Sequence, residues 1–247
     1  MQALAKVPEV TLGFWVIKIA ATTLGETGGD AVSMSLNLGY LIATGIFAAL
    51  FIAFVIAQVR ATKFHSALYW ATIVATTTVG TTLADFVDRS LGIGYLGGSS
   101  LLLALLLLSL FVWHHTLGSV SINTVDSPKV EVFYWVTIMF SQTLGTALGD
   151  WTADSMGAGY SAAAVLFGGL LVLVAVAYYW TNLSHTLLFW AAFILTRPLG
   201  AVVGDFLDKP VAHGGLALSR YSASLALLAF IVLGIVLFRQ QAAKSAH

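Results

Sequence analysis

The sequence predicts an all-α membrane protein of about eight transmembrane helices, arranged as four parallel, pseudo-repeated hairpins. Three observations carry that reading. The 247-residue chain is 59% hydrophobic and only 9% charged, with a mean hydropathy of +0.92, whereas about a quarter of the residues of a soluble globule are charged. One pattern, G-x-x-x-[G/A]-D, occurs as GETGGD ending at Asp30, GTTLAD at Asp85, GTALGD at Asp150 and GAVVGD at Asp205. A Trp stands ten residues before each first Gly (Trp15, Trp70, Trp135, Trp190) and a Gly nine residues after each Asp (Gly39, Gly94, Gly159, Gly214). Residue types recurring at fixed offsets mark an internal repeat.

The motifs start at Gly25, Gly80, Gly145 and Gly200, steps of 55, 65 and 55, so the second pair follows the first by 120 residues. This is a duplicated duplication inside a single membrane domain, 1–247. The repeats cover about 11–60, 66–115, 130–181 and 186–238, and the halves 1–120 and 125–247. A spanning helix needs about 20 apolar residues, and each repeat holds two such runs. The first run contains the Trp and the motif (about 11–36, 66–88, 130–155 and 186–208). The second is more uniformly apolar (about 40–59, 94–115, 159–180 and 216–238).

Loop charge predicts the orientation. One side collects Lys6, Arg60, Lys63, Lys129, Arg239 and Lys244, the other Arg89, Lys209 and Arg220. The bias places both termini in the cytoplasm of an inner-membrane, multi-pass protein. No cleavable leader is expected, because no small-residue cleavage site follows a short apolar region. The connection Thr116–Lys129, rich in Ser, Asn, Asp and Pro, joins the halves on the cytoplasmic side. An even number of spans per repeat makes the four motif helices parallel and puts their aspartates at one depth, in the outer half of the bilayer. The Trp series, with Tyr69 and Tyr134, reads as an aromatic belt on the cytoplasmic side, and Tyr40, Tyr95 and Tyr160 as one on the outer side.

Glycines four apart let helices approach closely where lipid supplies no hydrophobic drive. The carboxylates use the adjacent helix face. Taking positions three, four and seven residues from each Asp, that face holds Thr23, Glu26, Thr27 and Ser33 in the first repeat. It holds Thr78, Thr81, Thr82 and Asp88 in the second and Thr143, Thr146 and Asp154 in the third. The fourth is barer, with Pro198, Ala201 and Val202 before Asp208. Ionised residues at bilayer depth cost at least about 2.5–3.5 kcal/mol each unless they face a cavity or a partner. Glu26, Asp30, Asp85, Asp150 and Asp205 are therefore the candidate metal ligands, with Thr23, Thr27, Thr78, Thr81, Asp88, Thr143, Thr146, Asp154 and Asp208 as supporting polar groups. Lys18 and Arg197 are the counter-ion candidates within the spans. Oxygen ligands in a chain without cysteine suit Mn²⁺, Ca²⁺, Mg²⁺ or Na⁺, and crowded carboxylates suit proton exchange.

The G-x-x-x-G-D repeats with their Trp and Gly-Tyr flanks resemble a family of bacterial integral membrane proteins labelled uncharacterised, over nearly the whole chain. GETGGD is also similar to the E-x-G-D signature of the manganese and calcium cation/proton exchangers of bacteria and the Golgi. That similarity implies cation-ligand roles for Glu26 and Asp30. Here an extra Gly separates the two, and the other repeats lack the Glu.

These readings converge on a secondary transporter or exchanger of a hard metal cation, Mn²⁺ first. A cation channel with an acidic ring and a membrane scaffold with structural aspartates are the alternatives. Enzyme activity is not expected, since no metalloprotease, nucleophile-elbow or nucleotide-loop motif appears. Neither is a tightly bound cofactor or a nucleic-acid partner, as the formal net charge is zero. The expected partners are the bilayer, the metal ion and protons.

Overall fold

The computed structural model describes residues 5–238 and 240–243; Arg239 and Lys244, counted above for orientation, lie outside them. Eight long helices form: α1 (Leu12–Asp30), α2 (Gly39–Arg60), α3 (Ser66–Asp85), α4 (Gly94–Leu117), α5 (Pro128–Asp150), α6 (Gly159–Trp180), α7 (His185–Asp208) and α8 (Arg220–Leu237). Thr11 and Ser184 cap the starts of α1 and α7 through their hydroxyls. The end of the motif helix is unusual. At Asp30, Asp85 and Asp150 the α-helix gives way to one π-helical turn (Ala31–Ser35, Phe86–Ser90, Trp151–Ser155), a distortion that often marks functional positions. The chain then reverses and each outer helix begins at a Gly in the left-handed region (φ +75° at Gly39, +73° at Gly94, +75° at Gly159), which accounts for the Gly nine residues after each Asp. Gly214 shares that conformation at +84°. It lies in a longer loop, since α7 runs to Asp208 without the π-turn.

The four motif helices α1, α3, α5 and α7 close into a ring: α1 packs on α3 and α7, and α5 packs on α3 and α7. Phe14 touches Trp70 and Phe189 at one end of the ring, while the aspartate ends meet at the other, so the ring helices run parallel. The pairing of the outer helices differs from the expected hairpins. α2 packs along α3, α4 along α5, α6 along α7, and α8 along α1. Each outer helix thus covers the next repeat's motif helix, and α8 closes the circle onto the first.

Five helices, α2, α4, α6, α7 and α8, are long and apolar enough to cross a membrane, and the outer ones expose large side chains such as Leu41, Leu107, Leu173 and Leu225. The three others, α1, α3 and α5, spend their interior face on Thr, Ser, Gln and charged residues, almost all of them buried.

The ring closes tightly because its first motif glycines are sockets. A Cβ on Gly25 would strike Thr77, on Gly80 the backbone at Gln142 and Thr143, on Gly145 Arg197 and Pro198, and on Gly200 Thr22. Each contact is to the neighbouring ring helix at the position three residues before its own first glycine. The aromatic end is capped. Lys6 N–H donates to Val125 O (2.9 Å), Glu9 N–H to Gln241 O (2.8 Å) and Ala243 N–H to Val7 O (2.8 Å). The Lys6 ammonium forms a buried ion pair with Glu131 at 2.5 Å.

Three of the four repeat tryptophans are not part of an interfacial belt, and the fourth, Trp15, is half-buried. Trp70, Trp135 and Trp190 are buried in the largest apolar cluster with Phe14, Tyr69 and Tyr134, and the Tyr69 and Tyr134 hydroxyls are 2.7 Å apart. Aromatic rings at this end seal the ring against the cap instead of facing lipid. Tyr160, on the opposite side, is likewise buried.

Filling a socket should prevent closure. Gly200→Leu is expected to lower stability by about 3 kcal/mol or more, a fall of roughly 6–12 °C in unfolding midpoint. Gly45→Leu, on a face of α2 with nothing within 4 Å, should leave the midpoint of the detergent-solubilised protein unchanged.

Candidate functional site

The interior of the ring is a stack of layers, each supplied by residues four apart on every ring helix. From the capped end these are Phe14, Tyr69, Tyr134 and Phe189; Lys18, Ile73, Ile138 and Phe193; Thr22, Thr77, Gln142 and Arg197; Glu26, Thr81, Thr146 and Ala201; and the four motif aspartates. All twenty are buried. A ridge of period four stays on a common axis only if the helices cross in the right-handed sense that small-residue contacts favour.

Arg197 fills the middle. One of its terminal nitrogens, Nη2, donates to Glu26 Oε2 (3.0 Å), Thr81 Oγ1 (2.5 Å) and Thr146 Oγ1 (2.5 Å). Those acceptors come one from each of the other three repeats, at the position where the arginine's own repeat has Ala201. The side chain is fully buried, and its Nε and Nη1 have no partner among the described residues. Arg197 thereby plugs the axis and pairs with the one glutamate of the motif series.

The five expected ligands all reach this core. Carboxylate oxygens of Glu26, Asp30 and Asp205 lie within 4.8 Å of one another. Arg89 bridges the other two aspartates, its Nε 2.8 Å from Asp85 Oδ1 and its Nη2 3.2 Å from Asp150 Oδ2. Lys209 Nζ bridges Asp30 (2.6 Å to Oδ2) and Asp205 (3.0 Å to Oδ1). Arg220 Nε also lies 3.7 Å from Asp30 Oδ2 and 3.2 Å from Asp208 Oδ2, so six carboxylates meet four cations, two short of neutrality when every group is ionised. Asp30 Oδ1 and Asp150 Oδ1 are buried without a hydrogen-bond partner. At the effective dielectric of a protein interior, two bare carboxylates some 4–5 Å apart repel by about 3–4 kcal/mol. With every group ionised, the cluster keeps a net negative charge.

The supporting set divides. Thr81 and Thr146 meet Arg197, and Thr81 also donates to Gly25 O at 3.0 Å. Thr23, Thr78 and Thr143 instead donate to the carbonyl four residues back in their own helices, and Thr27 pairs with Ser224 of α8 at 2.8 Å. They do not line the cluster, because helices packed on a four-residue ridge carry positions three and seven residues before each Asp towards neighbouring helices. Asp88 turns aside against Gly98 of α4. Asp208 pairs with Arg220 (Nε to Oδ2, 3.2 Å), and Asp154 is exposed, accepting from Tyr95 at 3.5 Å.

Lys18 is not a counter-ion to the aspartates. Its ammonium lies 3.3 Å from Thr196 Oγ1 and 4.1 Å from the centre of the Phe193 ring, and it forms no ion pair among the described residues. The cations that pair with the cluster are Arg197 together with Arg89, Lys209 and Arg220, the last three expected from their positions as loop charges. For Arg89 and Lys209 the signal was present: acid followed by base four residues later, Asp85–Arg89 and Asp205–Lys209, a spacing that pairs on a helix.

Above the aspartates the ring opens into a cavity of about 380 Å³ lined by Met34, Arg89, Asp154, Tyr160, Lys209, His213 and Arg220. The cavity lies at the aspartate end of the ring, reaching the cluster's cations Arg89 and Lys209, while the other end carries the cap.

Arg197→Leu should cost about 3–5 kcal/mol, since it leaves Glu26 buried and unpaired. Adding Glu26→Leu should restore more than half of that loss in thermal unfolding.

A family model described as Repeat of Unknown Function (DUF347) matches residues 13–64, 68–118, 133–184 and 188–242, each match taking in one ring helix and the outer helix after it. No curated protein matches the chain. No solved structure matches it either. Four matched repeats span most of the sequence, and the protein belongs to the family described as Repeat of Unknown Function (DUF347).

Proposed function

We propose that the protein is a secondary transporter that moves a hard divalent cation, in exchange for protons, through the carboxylate cluster of Glu26, Asp30, Asp85, Asp150 and Asp205. The observation that carries this reading is the shortfall of two positive charges at a buried site. One divalent ion or two protons supply that charge, and alternation between them is what an exchanger needs. The ligand atoms are carboxylate oxygens, which favour Mn²⁺, Ca²⁺ and Mg²⁺ over softer metals; Mn²⁺ is the first ion to test, in keeping with the similarity of GETGGD to exchanger signatures. A cavity at the aspartate end and a cap at the other, with Arg197 across the axis between them, support alternating access over a standing open pore. With both termini cytoplasmic in the inner membrane, the cavity above the aspartates faces outward and the capped end inward.

The test joins binding to flux. Mn²⁺ should stabilise the purified protein by mass action, by about 2.7 kcal/mol at a hundred times its dissociation constant. Asp30→Asn and Asp205→Asn should lose that stabilisation and the proteoliposome flux, while Asp126→Asn, on an exposed loop, keeps both. Wild-type stability and vesicle flux that ignore every divalent ion would overturn the reading in favour of a scaffold with structural aspartates.

A further inference from the structure

We propose that Lys209 is a tethered cation that occupies the carboxylate site of the empty protein and is displaced into the cavity when a divalent ion enters. The inference rests on the transport reading above and adds a device to it. Four residues after the motif Asp, the repeats carry Met34, Arg89, Asp154 and Lys209. Only the second and fourth copies supply a cation, and the two are used differently. Arg89 places separate nitrogens of a planar fork on Asp85 and Asp150. Such a fork is directional and holds its carboxylates as a fixed clamp. Lys209 offers a single ammonium, a compact charge on a flexible stem, and sets it between Asp30 and Asp205. Those residues are two of the three whose oxygens come within 4.8 Å of one another. The ammonium stands where an entering metal would stand, and two cations cannot share that space.

The surrounding chain lets the side chain leave without disturbing the fold. Lys209 is part of the cavity wall, and its side chain is 12% exposed, so a path outward exists. Its backbone is anchored independently: its N–H donates to Asp205 O (2.9 Å) and its carbonyl accepts from Ala217 N–H (2.9 Å). The loop that makes this anchor is particular to the fourth repeat. It passes so close that a Cβ on Gly215 would collide with the Lys209 carbonyl, at the position where the other repeats have Tyr40, Tyr95 and Tyr160. Once Lys209 swings out, Asp30 and Asp205 face the ion with both carboxylates, and Arg220, 3.7 Å from Asp30, stays paired with Asp208.

The test uses the full chain in detergent with Mn²⁺ alone as the ligand. In the wild type, acetylation of Lys209 by an amine-reactive ester, followed by mass spectrometry, should run at least tenfold faster with saturating Mn²⁺ than without it. Lys63, in an exposed loop, should react at one rate in both conditions. Lys209→Met should bind Mn²⁺ at least tenfold more tightly by calorimetry, and Asp30→Asn in that background should abolish the binding. Mn²⁺ binding with unchanged Lys209 reactivity, or with equal or weaker affinity in Lys209→Met, overturns the tethered-cation role and leaves the transport reading standing. Absence of Mn²⁺ binding in both the wild type and Lys209→Met overturns the two together. If Lys209→Met does not fold, the reactivity measurement on the wild type decides alone.

Discussion

Four helices can share one axis here because a side chain is missing where each meets its neighbour. Thr77, the Gln142 backbone, Arg197 and Thr22 occupy the spaces left by Gly25, Gly80, Gly145 and Gly200, and that approach forces the residues four apart on each helix to look at one another across the centre. Every feature of the site follows from this. The aspartates are level because the motif is level, the arginine reaches three repeats because three helices lie within one side chain's length, and the polar stripe avoids lipid because the outer helices cover the ring from behind. In a medium with no hydrophobic drive between helices, close backbone approach and interhelical hydrogen bonds hold such a bundle.

Within that frame the repeats have been made unequal in charge. Glu26 appears once, Arg197 once, and cations follow the aspartate in alternate repeats only. A four-fold ring of identical carboxylates becomes two bridged pairs plus a central ion pair, with a fixed guanidinium on one side and a flexible ammonium on the other. Each bridged pair sets one cation between two aspartates, and the pair held by the flexible ammonium, Asp30 and Asp205, lies next to the loop in which the fourth repeat departs most from the others.

The helices, their order and the common level of the aspartates could be read from the sequence because each rests on spacing along the chain. Which helix covers which could not. A repeat of two helices suggests a hairpin, and nothing local says that α2 prefers α3 to α1. The threonines went astray for a related reason. Positions three and seven residues from Asp share its face on an isolated helix, whereas Thr81 and Thr146 were selected by a crossing angle that only the packed ring imposes. The buried tryptophans depended on a cap, residues 5–9 with 240–243, built from both ends of the described chain. Arg89 and Lys209 were hidden by their place at helix ends, where a charge looks like a loop residue until the turn beyond it is seen to fold inward.

The circle of outer helices has a seam. α2, α4 and α6 each lead directly into the ring helix they cover, but α1 waits for α8, some 190 residues later in synthesis. α1 is also the ring helix that carries Lys18, Glu26 and Asp30. A helix with three charged residues is therefore synthesised long before the helix that shelters it, whereas α3, α5 and α7 each emerge directly behind their cover, so insertion of the bundle cannot proceed by adding finished hairpins one at a time.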